Sequence, residues 1–171
     1  EYVFYKCENL TSVTIPDGIT SIGERAFRGC SSLTSVTIPN GVSRIGDYAF
    51  DGCNSLTSIS VPESITSIGE DAFNGCNDSL FFKENNAVYI GNSDNKYMVL
   101  LKAESFKIKS CNVNNNCKVI ADYAFENCAS LKTFTTPANI IMGSYVFYCS
   151  NNATIYCGDT VIPASWSLLW N

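Results

Sequence analysis

The stretch ITSIGERAFRGCSSLTSVTIP, residues 19–39, decides the fold because the chain repeats it one period later. Residues 42–62 read VSRIGDYAFDGCNSLTSISVP, and a third copy, ITSIGEDAFNGC, occupies residues 65–76. The period is 23 residues, and the recurring positions hold apolar residues, prolines, glycines and cysteines. A unit of this length cannot bury its apolar side alone, so its copies must stack on one another. The repeat therefore predicts a solenoid.

The segment LTSVTIP, residues 10–16, predicts one strand in each coil. Its apolar residues Leu10, Val13 and Ile15 are expected to point inward, while the Thr and Ser residues between them point outward. Strands of successive coils would form a parallel ladder with a spacing of about 4.8 Å, ended by proline. The segment GITSIG predicts a second short ladder. The Ala–Phe segment that follows predicts a short 3₁₀ or helical turn whose Phe fills the space between the sheets.

One coil departs from this pattern. The repeat columns return at Ile108, four periods plus six residues after Leu10, so the intervening coil carries six extra residues. Within it, AVYI at 87–90 and YMVLL at 97–101 flank the polar segment GNSDNK. Two apolar segments around a polar turn predict a β-hairpin. This hairpin would replace the second half of the repeat unit.

Composition excludes several classes of protein. The chain has 171 residues, 46% of them hydrophobic and 16% charged, with a net charge of −5. No cluster of Lys and Arg is present, so neither nucleic-acid binding nor a basic membrane-binding face is expected. The longest apolar runs, such as Met98–Leu101, are far too short to span a bilayer. A protein with its own apolar core is expected.

The pattern LxxVxIPxxIxxIGxxAFxxC resembles the leucine-rich repeats of BspA-like surface proteins, which occur in gut and oral bacteria and in some parasitic protists. The segments AVYIGNSDNKYMVLLKA and TIYCGDTVIPASWSLLWN are also similar to parts of the gut-bacterial members. The resemblance implies a right-handed, mostly β leucine-rich-repeat solenoid. It also implies a cell-surface or secreted location, with a signal or anchor outside this sequence, and a role in adhesion or protein binding.

We interpret residues 1–171 as a single leucine-rich-repeat domain. Its expected parts are a partial coil at 1–9, regular coils at 10–79, an irregular hairpin-bearing coil at 80–107, regular coils at 108–152 and a C-terminal cap at 153–171. The cap would cover the apolar end of the array with Trp166, Leu168, Leu169 and Trp170. Because the sequence starts inside a coil, we expect either further solenoid before it or a homodimer through the solenoid ends.

Six cysteines are assigned to one column of the repeat: Cys7, Cys30, Cys53, Cys76, Cys128 and Cys149. The last assignment requires the loss of one residue between Phe147 and Cys149. Side chains in register point the same way, so we expect buried free thiols, although the coil spacing could just tolerate disulfides. Cys111 and Cys117 fall in inward-facing columns. With no CxxC pair and no His, neither a metal nor another cofactor is expected.

A column of carboxylates follows the Ile–Gly or Ile–Ala pairs: Glu24, Asp47, Glu70 and Asp122. We interpret them as groups that accept hydrogen bonds at the start of each helical turn. A cation ladder is the alternative. Calcium needs six to eight converging oxygens, and one carboxylate in each coil does not supply them.

Two surfaces are candidate partner-binding sites. The first is the hydroxyl array of the strand face: Thr11, Ser12, Thr14, Thr34, Ser35, Thr37, Thr57, Ser58 and Ser60. The second is the hairpin, where Tyr89, Lys96 and Tyr97 are expected to be exposed anchors. The alternatives are that β-branched Thr simply suits a solvent-facing strand and that the hairpin is a structural insertion. An ice-binding role for the hydroxyl array would need a flat face, which leucine-rich repeats usually lack.

No enzymatic activity is predicted. The absence of His removes the commonest general base, no phosphate-binding glycine motif is present, and the carboxylates are scattered. We predict a non-catalytic module for adhesion or protein–protein interaction, with a protein or glycan ligand at a cell surface and host or microbial partners. The alternative is a structural spacer that presents another domain. The near-identity of the exposed columns from coil to coil favours a spacer or a repetitive ligand.

Overall fold

The computed structural model describes residues 1–150 and 153–158, and the chain divides into two compact units. Unit 1 comprises Glu1–Phe81 and Gly91–Asp94, and unit 2 comprises Phe82–Ile90 and the described residues from Asn95 onward. Both are mostly β and consist of solenoid coils with parallel strand ladders, which confirms the predicted fold class. In the part of the chain that is described, no helix has the length and apolar character needed to cross a membrane.

Unit 1 contains two parallel ladders and one short helix. Its elements are β1 (Ser12–Thr14), β2 (Ser21–Ile22), β3 (Ser35–Thr37), β4 (Arg44–Ile45), β5 (Ser58–Ser60), β6 (Ser67–Ile68) and a 3₁₀ helix (Asp78–Leu80). One ladder has the order β1–β3–β5, and the other has the order β2–β4–β6. Ser12 pairs with Ser35, which pairs with Ser58, so the register equals the sequence period.

Unit 2 combines a parallel ladder with a mixed sheet. Its strands are β7 (Phe82–Glu84), β8 (Ala87–Ile90), β9 (Val99–Ala103), β10 (Ser110–Asn112), β11 (Val119–Ile120), β12 (Thr133–Thr136), β13 (Ile141–Met142) and β14 (Thr154–Cys157). The ladder has the order β10–β12–β14, and the mixed sheet has the order β13–β11–β9–β8–β7. Strand β14, the last strand of this parallel ladder, belongs to the segment 153–171 that was predicted as a cap. Residues Trp166, Leu168, Leu169 and Trp170 lie outside the described residues.

The predicted hairpin is present as β8 and β9, and it has an additional strand. β9 pairs in parallel with β11, so it fills the position of the short second strand in its own coil. β7 pairs antiparallel with β8 through a two-residue turn at Asn85 and Asn86, whose φ angles are 50° and 69°. Such left-handed two-residue turns match the twist of a hairpin. The irregular coil therefore contains a three-stranded antiparallel meander.

The core follows the repeat columns. Leu33 and Leu56 are fully buried behind the first ladder, and Ile45 is fully buried behind the second. The rings of Phe4, Phe27, Phe50 and Phe73 stack with centroid separations of 5.1–5.3 Å. Burial of one large apolar side chain stabilises a fold by about 1.5–3 kcal/mol. Each coil thus contributes a ring to a continuous stack within unit 1.

The segment predicted as a short 3₁₀ or helical turn forms no helix. In the first full coil, Arg25 and Gly29 have φ angles of 52° and 74°, which interrupt a right-handed helix. The N–H groups of Arg25, Phe27 and Gly29 instead donate to carbonyls of the next coil at 2.7–2.9 Å. Alternate N–H groups close local turns, as from Ala26 to Gly23. This segment is a third ladder of hydrogen bonds between coils.

Candidate functional site

The strand face of unit 1 presents the predicted hydroxyl array to solvent. All nine residues of the array are exposed: Thr11, Ser12, Thr14, Thr34, Ser35, Thr37, Thr57, Ser58 and Ser60. The hydroxyls of Thr34 and Thr57 donate to the carbonyls of Thr11 and Thr34 in the preceding coils, at 3.2 and 3.5 Å. These threonines therefore support the ladder itself. The other two columns of the array display small polar groups at regular intervals: Ser12, Ser35 and Ser58 in one, and Thr14, Thr37 and Ser60 in the other.

The hairpin does not expose all of its predicted anchors, because Tyr89 is completely buried, with 0% exposure. It lies on β8, the strand between β7 and β9, where every residue is covered. The Tyr89 hydroxyl accepts a hydrogen bond from the N–H of Asn114 at 3.2 Å. Burial raises the pKa of this phenol. The prediction of an exposed Tyr89 is wrong, and its role is to pack the core.

The other two predicted residues form a surface cluster, which we call the hairpin patch, with Phe82. The Lys96 ammonium lies 4.9 Å from the ring centroid of Tyr97 and 5.4 Å from that of Phe82. Lys96 is exposed, and Phe82 is 38% exposed. The ring of Tyr97 packs edge-on against Phe82 at 6.5 Å and against Tyr89 at 5.4 Å. A cation over aromatic faces is held by the ring quadrupoles.

A partly buried set of polar contacts fixes the hairpin patch. The Tyr97 hydroxyl donates to Glu84 at 3.2 Å, and the Asn114 side chain donates to the other Glu84 oxygen at 2.6 Å. Sequence reasoning did not identify Phe82 or Glu84. The signal was available in Asn85–Asn86, because two adjacent residues that tolerate positive φ indicate a tight hairpin turn. That turn places Phe82 opposite Tyr89.

The cysteines are free thiols, and most of them belong to the core. Cys30, Cys53 and Cys76 each donate to the carbonyl of the Phe in the preceding coil, at 3.1–3.2 Å. Cys149 does not follow them, because it is exposed and has a φ of 58°. Ser150 takes the column position, since it is buried and its hydroxyl donates to Phe125 O at 2.7 Å. The predicted loss of a residue before Cys149 is therefore wrong.

The buried thiols of unit 2 should make the fold sensitive to alkaline pH. Burial raises the pKa of Cys111 and of Cys117 from 9.0 to about 12. A raised pKa in the folded state stabilises the fold fully below pH 9, and this contribution is lost as the pH approaches 12. We expect the free energy of unfolding to fall above pH 9 by up to about 1.4 kcal/mol per pH unit for each thiol. Urea unfolding in reductant at pH 7.5 and 10.5 measures the loss.

The control for the alkaline loss is Cys117→Ala, which removes one titrating group. Its free energy of unfolding should change less between the two pH values than that of the parent chain, whatever its absolute stability. Tyr89 acts in the same direction, because its pKa is also raised by burial. An unfolding free energy that stays constant over this range would contradict the prediction.

The carboxylate column acts between coils. Asp47 Oδ1 accepts the N–H of Glu70 at 3.1 Å, and Asp122 Oδ1 accepts that of Ser144 at 2.6 Å. We predicted that each carboxylate accepts a hydrogen bond at the start of its own turn. That prediction is wrong for Asp47 and Asp122, because each accepts an N–H group of the neighbouring coil. Glu24 pairs with Arg25, and Glu70 accepts the Tyr48 hydroxyl at 2.8 Å. Within residues 1–150 and 153–158, no three Cys, Asp or Glu side chains are grouped for a metal ion.

The parallel ladders, the stacked apolar columns and the exposed strand face define a leucine-rich-repeat solenoid. The chain belongs to the BspA type leucine rich repeat family, whose model matches six copies over residues 1–98 and 102–166. This confirms the resemblance found in the sequence. The family is consistent with a protein-interaction or surface module. A search of curated proteins gives no match.

Several solved structures are similar to this chain. A leucine-rich cell surface protein from Faecalibacterium prausnitzii is 28% identical, with a TM-score of 0.46, over 90% of this chain and 43% of that one. A leucine-rich repeat protein from T. pallidum is 25% identical, with a TM-score of 0.43, over 85% of this chain and 57% of that one. A leucine-rich repeat protein from Bacteroides ovatus is 18% identical, with a TM-score of 0.38, over 88% of this chain and 64% of that one. The chain spans about half the length of the first two proteins.

Proposed function

We propose that this chain is a non-catalytic interaction module of a cell-surface or secreted protein, and that it adheres to a protein or glycan of a host or of another microbe. The observation that supports this most is the hairpin patch. Tyr is enriched among the residues that dominate binding energy, and a cation held over aromatic rings adds a directional contact. Leucine-rich-repeat families typically act as non-catalytic scaffolds. An irregular excursion from a regular scaffold is a frequent place for function.

The hairpin patch is suited to binding because its geometry exists before a partner arrives. Tyr97 is fixed by Glu84 at one end and by the buried ring of Tyr89 at the other. Lys96 stays exposed above the rings. Side chains that are already ordered lose less conformational entropy on binding. Phe82 lies on β7, and Lys96 and Tyr97 lie in the turn just before β9, so the partner would meet a preformed surface.

A spacer is the second candidate function, and the hydroxyl array supports it. The outward residues read Thr-Ser-Thr, Thr-Ser-Thr and Thr-Ser-Ser in three successive coils, with no charge and no aromatic ring. Binding hot spots are depleted in Ser and Thr. A face that repeats in this way offers the same weak contact everywhere. It would serve a module that holds another domain at a distance, or one that binds a repetitive ligand.

The test is a binding screen of the purified chain against extracellular-matrix proteins, mucins and glycans. The variant Phe82→Ala/Lys96→Ala removes the exposed parts of the hairpin patch and leaves buried Tyr89 intact. We expect it to weaken binding by about tenfold or more, the effect of losing a hot spot. Lys102→Ala is the matched control, because Lys102 is an exposed lysine on β9 of the same sheet.

A second variant, Ser35→Arg, places a bulky charge at the centre of the hydroxyl array. Binding lost only in this variant would move the site to the strand face. Binding retained in both variants would remove both candidate surfaces, and absence of any saturable binding would favour the spacer. Homodimerisation through the solenoid ends is also a proposal, and light scattering over a concentration series would test it.

A further inference from the structure

The strand face of unit 2, on the β10–β12–β14 ladder, differs from that of unit 1 in its first column of side chains. In unit 1, the Thr34 N–H donates to Thr11 O just before the ladder strands begin. Lys109 and Lys132 occupy the matching places in unit 2, because the Lys132 N–H donates to Lys109 O at 2.9 Å immediately before β12 and β10 begin. The Thr34 hydroxyl donates to the ladder itself, whereas both lysine side chains are exposed to solvent.

The two lysines are neighbours without an ion pair. Consecutive strands of a parallel ladder lie about 4.8 Å apart, so Lys109 and Lys132 leave the sheet side by side. Among the described residues, no carboxylate forms an ion pair with either ammonium group. This includes Glu104 and Glu126, the acidic residues that precede each of them most closely along the chain. Two like charges at this spacing repel each other, and an anion that meets both relieves the repulsion.

Unit 2 is also the positively charged part of an acidic chain. It contains seven lysines against five Asp or Glu residues, whereas unit 1 contains four Lys or Arg residues against eleven acidic ones. The field of unit 2 by itself therefore favours the approach of an anion. Because exposed charges are screened within about 10 Å at physiological salt, the pair of neighbouring lysines determines where the anion binds.

The same face presents an exposed tyrosine ring three residues further along the strands. Tyr156 on β14 pairs in register with Thr135, and Thr135 pairs with Asn112. All three residues are exposed, and the exposed fraction of Tyr156 is 53%. This row lies about 10 Å from the lysine column, because a strand rises by about 3.3 Å per residue. One ligand of moderate length can therefore meet the ring and the lysines together.

Small hydroxyl side chains occupy the surface between the lysines and the row of Tyr156. Ser110, Thr133 and Thr154 pair with one another across the three strands, and all of them are exposed. The apolar residues at the centres of β10 and β12, Cys111 and Phe134, face the core with 3% and 0% exposure. The face therefore combines two cations, several hydroxyl and amide groups, and one aromatic ring.

We propose that the strand face of unit 2 binds an acidic oligosaccharide. A carboxylate of one sugar lies between the ammonium groups of Lys109 and Lys132, and a neighbouring sugar packs on the ring of Tyr156. A sugar ring has apolar C–H groups on one side, which pack on an aromatic face, and hydroxyl groups around its rim, which bond to Ser, Thr and Asn side chains. The hairpin patch lies in the mixed sheet, so this site does not rest on the proposed function.

The test is an NMR titration of the whole chain with two hexasaccharides. The acidic probe alternates glucuronic acid with N-acetylglucosamine, and the neutral control contains N-acetylglucosamine alone. We expect saturable binding of the acidic probe, about fivefold or more tighter than that of the neutral one, which is the scale of two exposed ion pairs. Added salt should reduce this difference. Equal binding of the two probes, or no saturable binding at millimolar concentration, would overturn the proposal.

Paired lysine variants locate the site within unit 2. Lys109→Gln/Lys132→Gln should remove the preference for the acidic probe, whereas Lys83→Gln/Lys102→Gln should retain it. The second pair removes the same charge from two exposed lysines on β7 and β9 of the mixed sheet, so it controls for net charge. An equal loss in both variants would show non-specific attraction and would contradict the assignment to the strand face.

A tyrosine variant tests the sugar contact. Tyr156→Ala should weaken binding of the acidic hexasaccharide by about threefold or more, the scale of one aromatic contact. Tyr148→Ala is the control, because Tyr148 is a 45% exposed tyrosine in a turn segment of the same unit. A peptide of alternating Asp and Ser residues is the last probe. If it bound as tightly as the acidic hexasaccharide and ignored the loss of Tyr156, the ligand would be an acidic peptide and the sugar assignment would be wrong.

Discussion

Replacement of Phe50 by Ala is expected to lower the free energy of unfolding by about 3–5 kcal/mol, the range for removal of a buried Phe ring. Phe50 has 0% exposure, and its ring stacks between Phe27 at 5.1 Å and Phe73 at 5.3 Å, with interplanar angles of 6°. The loss combines the transfer free energy of the ring with the cavity it leaves. Because the cavity lies between two coils whose backbones are hydrogen bonded, the neighbours can collapse into it only partly. Urea unfolding monitored by circular dichroism measures the change.

Phe106→Ala is the matched control for Phe50→Ala. Phe106 is the same residue type but is 64% exposed. Its removal should change the free energy of unfolding by less than about 0.5 kcal/mol, as for most surface substitutions. A third variant, Phe50→Leu, keeps much of the apolar volume and should fall between the two. A Phe50→Ala cost below 1 kcal/mol would show that the ring stack does not hold the coils together.

Replacement of Gly46 by Ala is expected to destabilise the fold by about 3 kcal/mol, the upper range for overpacking a filled site. Gly46 is buried, and a Cβ at this position would lie 2.7 Å from Glu24 N and 3.0 Å from Gly23 C. Both atoms belong to the backbone of the preceding coil, so no side-chain rotation relieves the contact. The coils would have to separate at the point where Gly46 N–H donates to Ile22 O at 2.9 Å.

Gly41→Ala separates this steric cost from the general effect of replacing glycine. A Cβ at Gly41 would meet only Ile19 O, at 3.4 Å, and its φ does not lie in the left-handed region. Gly41 is also exposed. We expect this variant to be close to the parent chain or slightly more stable, because alanine restricts the unfolded chain. If the two variants had the same stability, close approach of the coils would not explain the glycine at position 46.

The strand ladders could be predicted from the sequence because the period fixes the register. The pairs Val13–Val36 and Val36–Ile59 repeat the sequence spacing, and apolar alternation decides which face is buried. The turn segments could not be predicted in the same way. Arg25 and Tyr48 have positive φ angles although neither is Gly or Asn. Their conformation is set by hydrogen bonds to the next coil, and this tertiary effect leaves no local signature.

The cysteine column shows why aligning identical residues can fail. Matching Cys149 to Cys30 gave the wrong register, because what the fold requires is a small donor three residues after the Phe. Ser150 satisfies that requirement after Phe147, and Cys149 takes the left-handed position that Gly29 has in the first full coil. This position requires a small side chain that donates a hydrogen bond, and either Cys or Ser meets that requirement. An alignment on Phe alone would have placed both residues correctly.

The candidate site was only partly accessible to sequence reasoning. Lys96 and Tyr97 were identified because they interrupt a monotonous repeat, and they do lie at the surface with Phe82. Tyr89 was misplaced because the hairpin was assumed to have two strands. A third strand, β7, makes β8 an internal strand, and all four of its residues are buried. The number of strands in a sheet determines which of them are covered, and a local pattern does not contain that number.

The ladders of unit 1 also determine how it would respond to tension. Backbone hydrogen bonds on three sides of each coil connect it to the next, so a pull along the stacking direction loads the bonds of one interface at a time. Peeling one coil from the end breaks that interface without disturbing those behind it. Each event would release one repeat of 23 residues and lengthen the chain by about 80 Å. Because it would extend in repeated equal steps, this unit would dissipate a pulling force gradually instead of transmitting it rigidly.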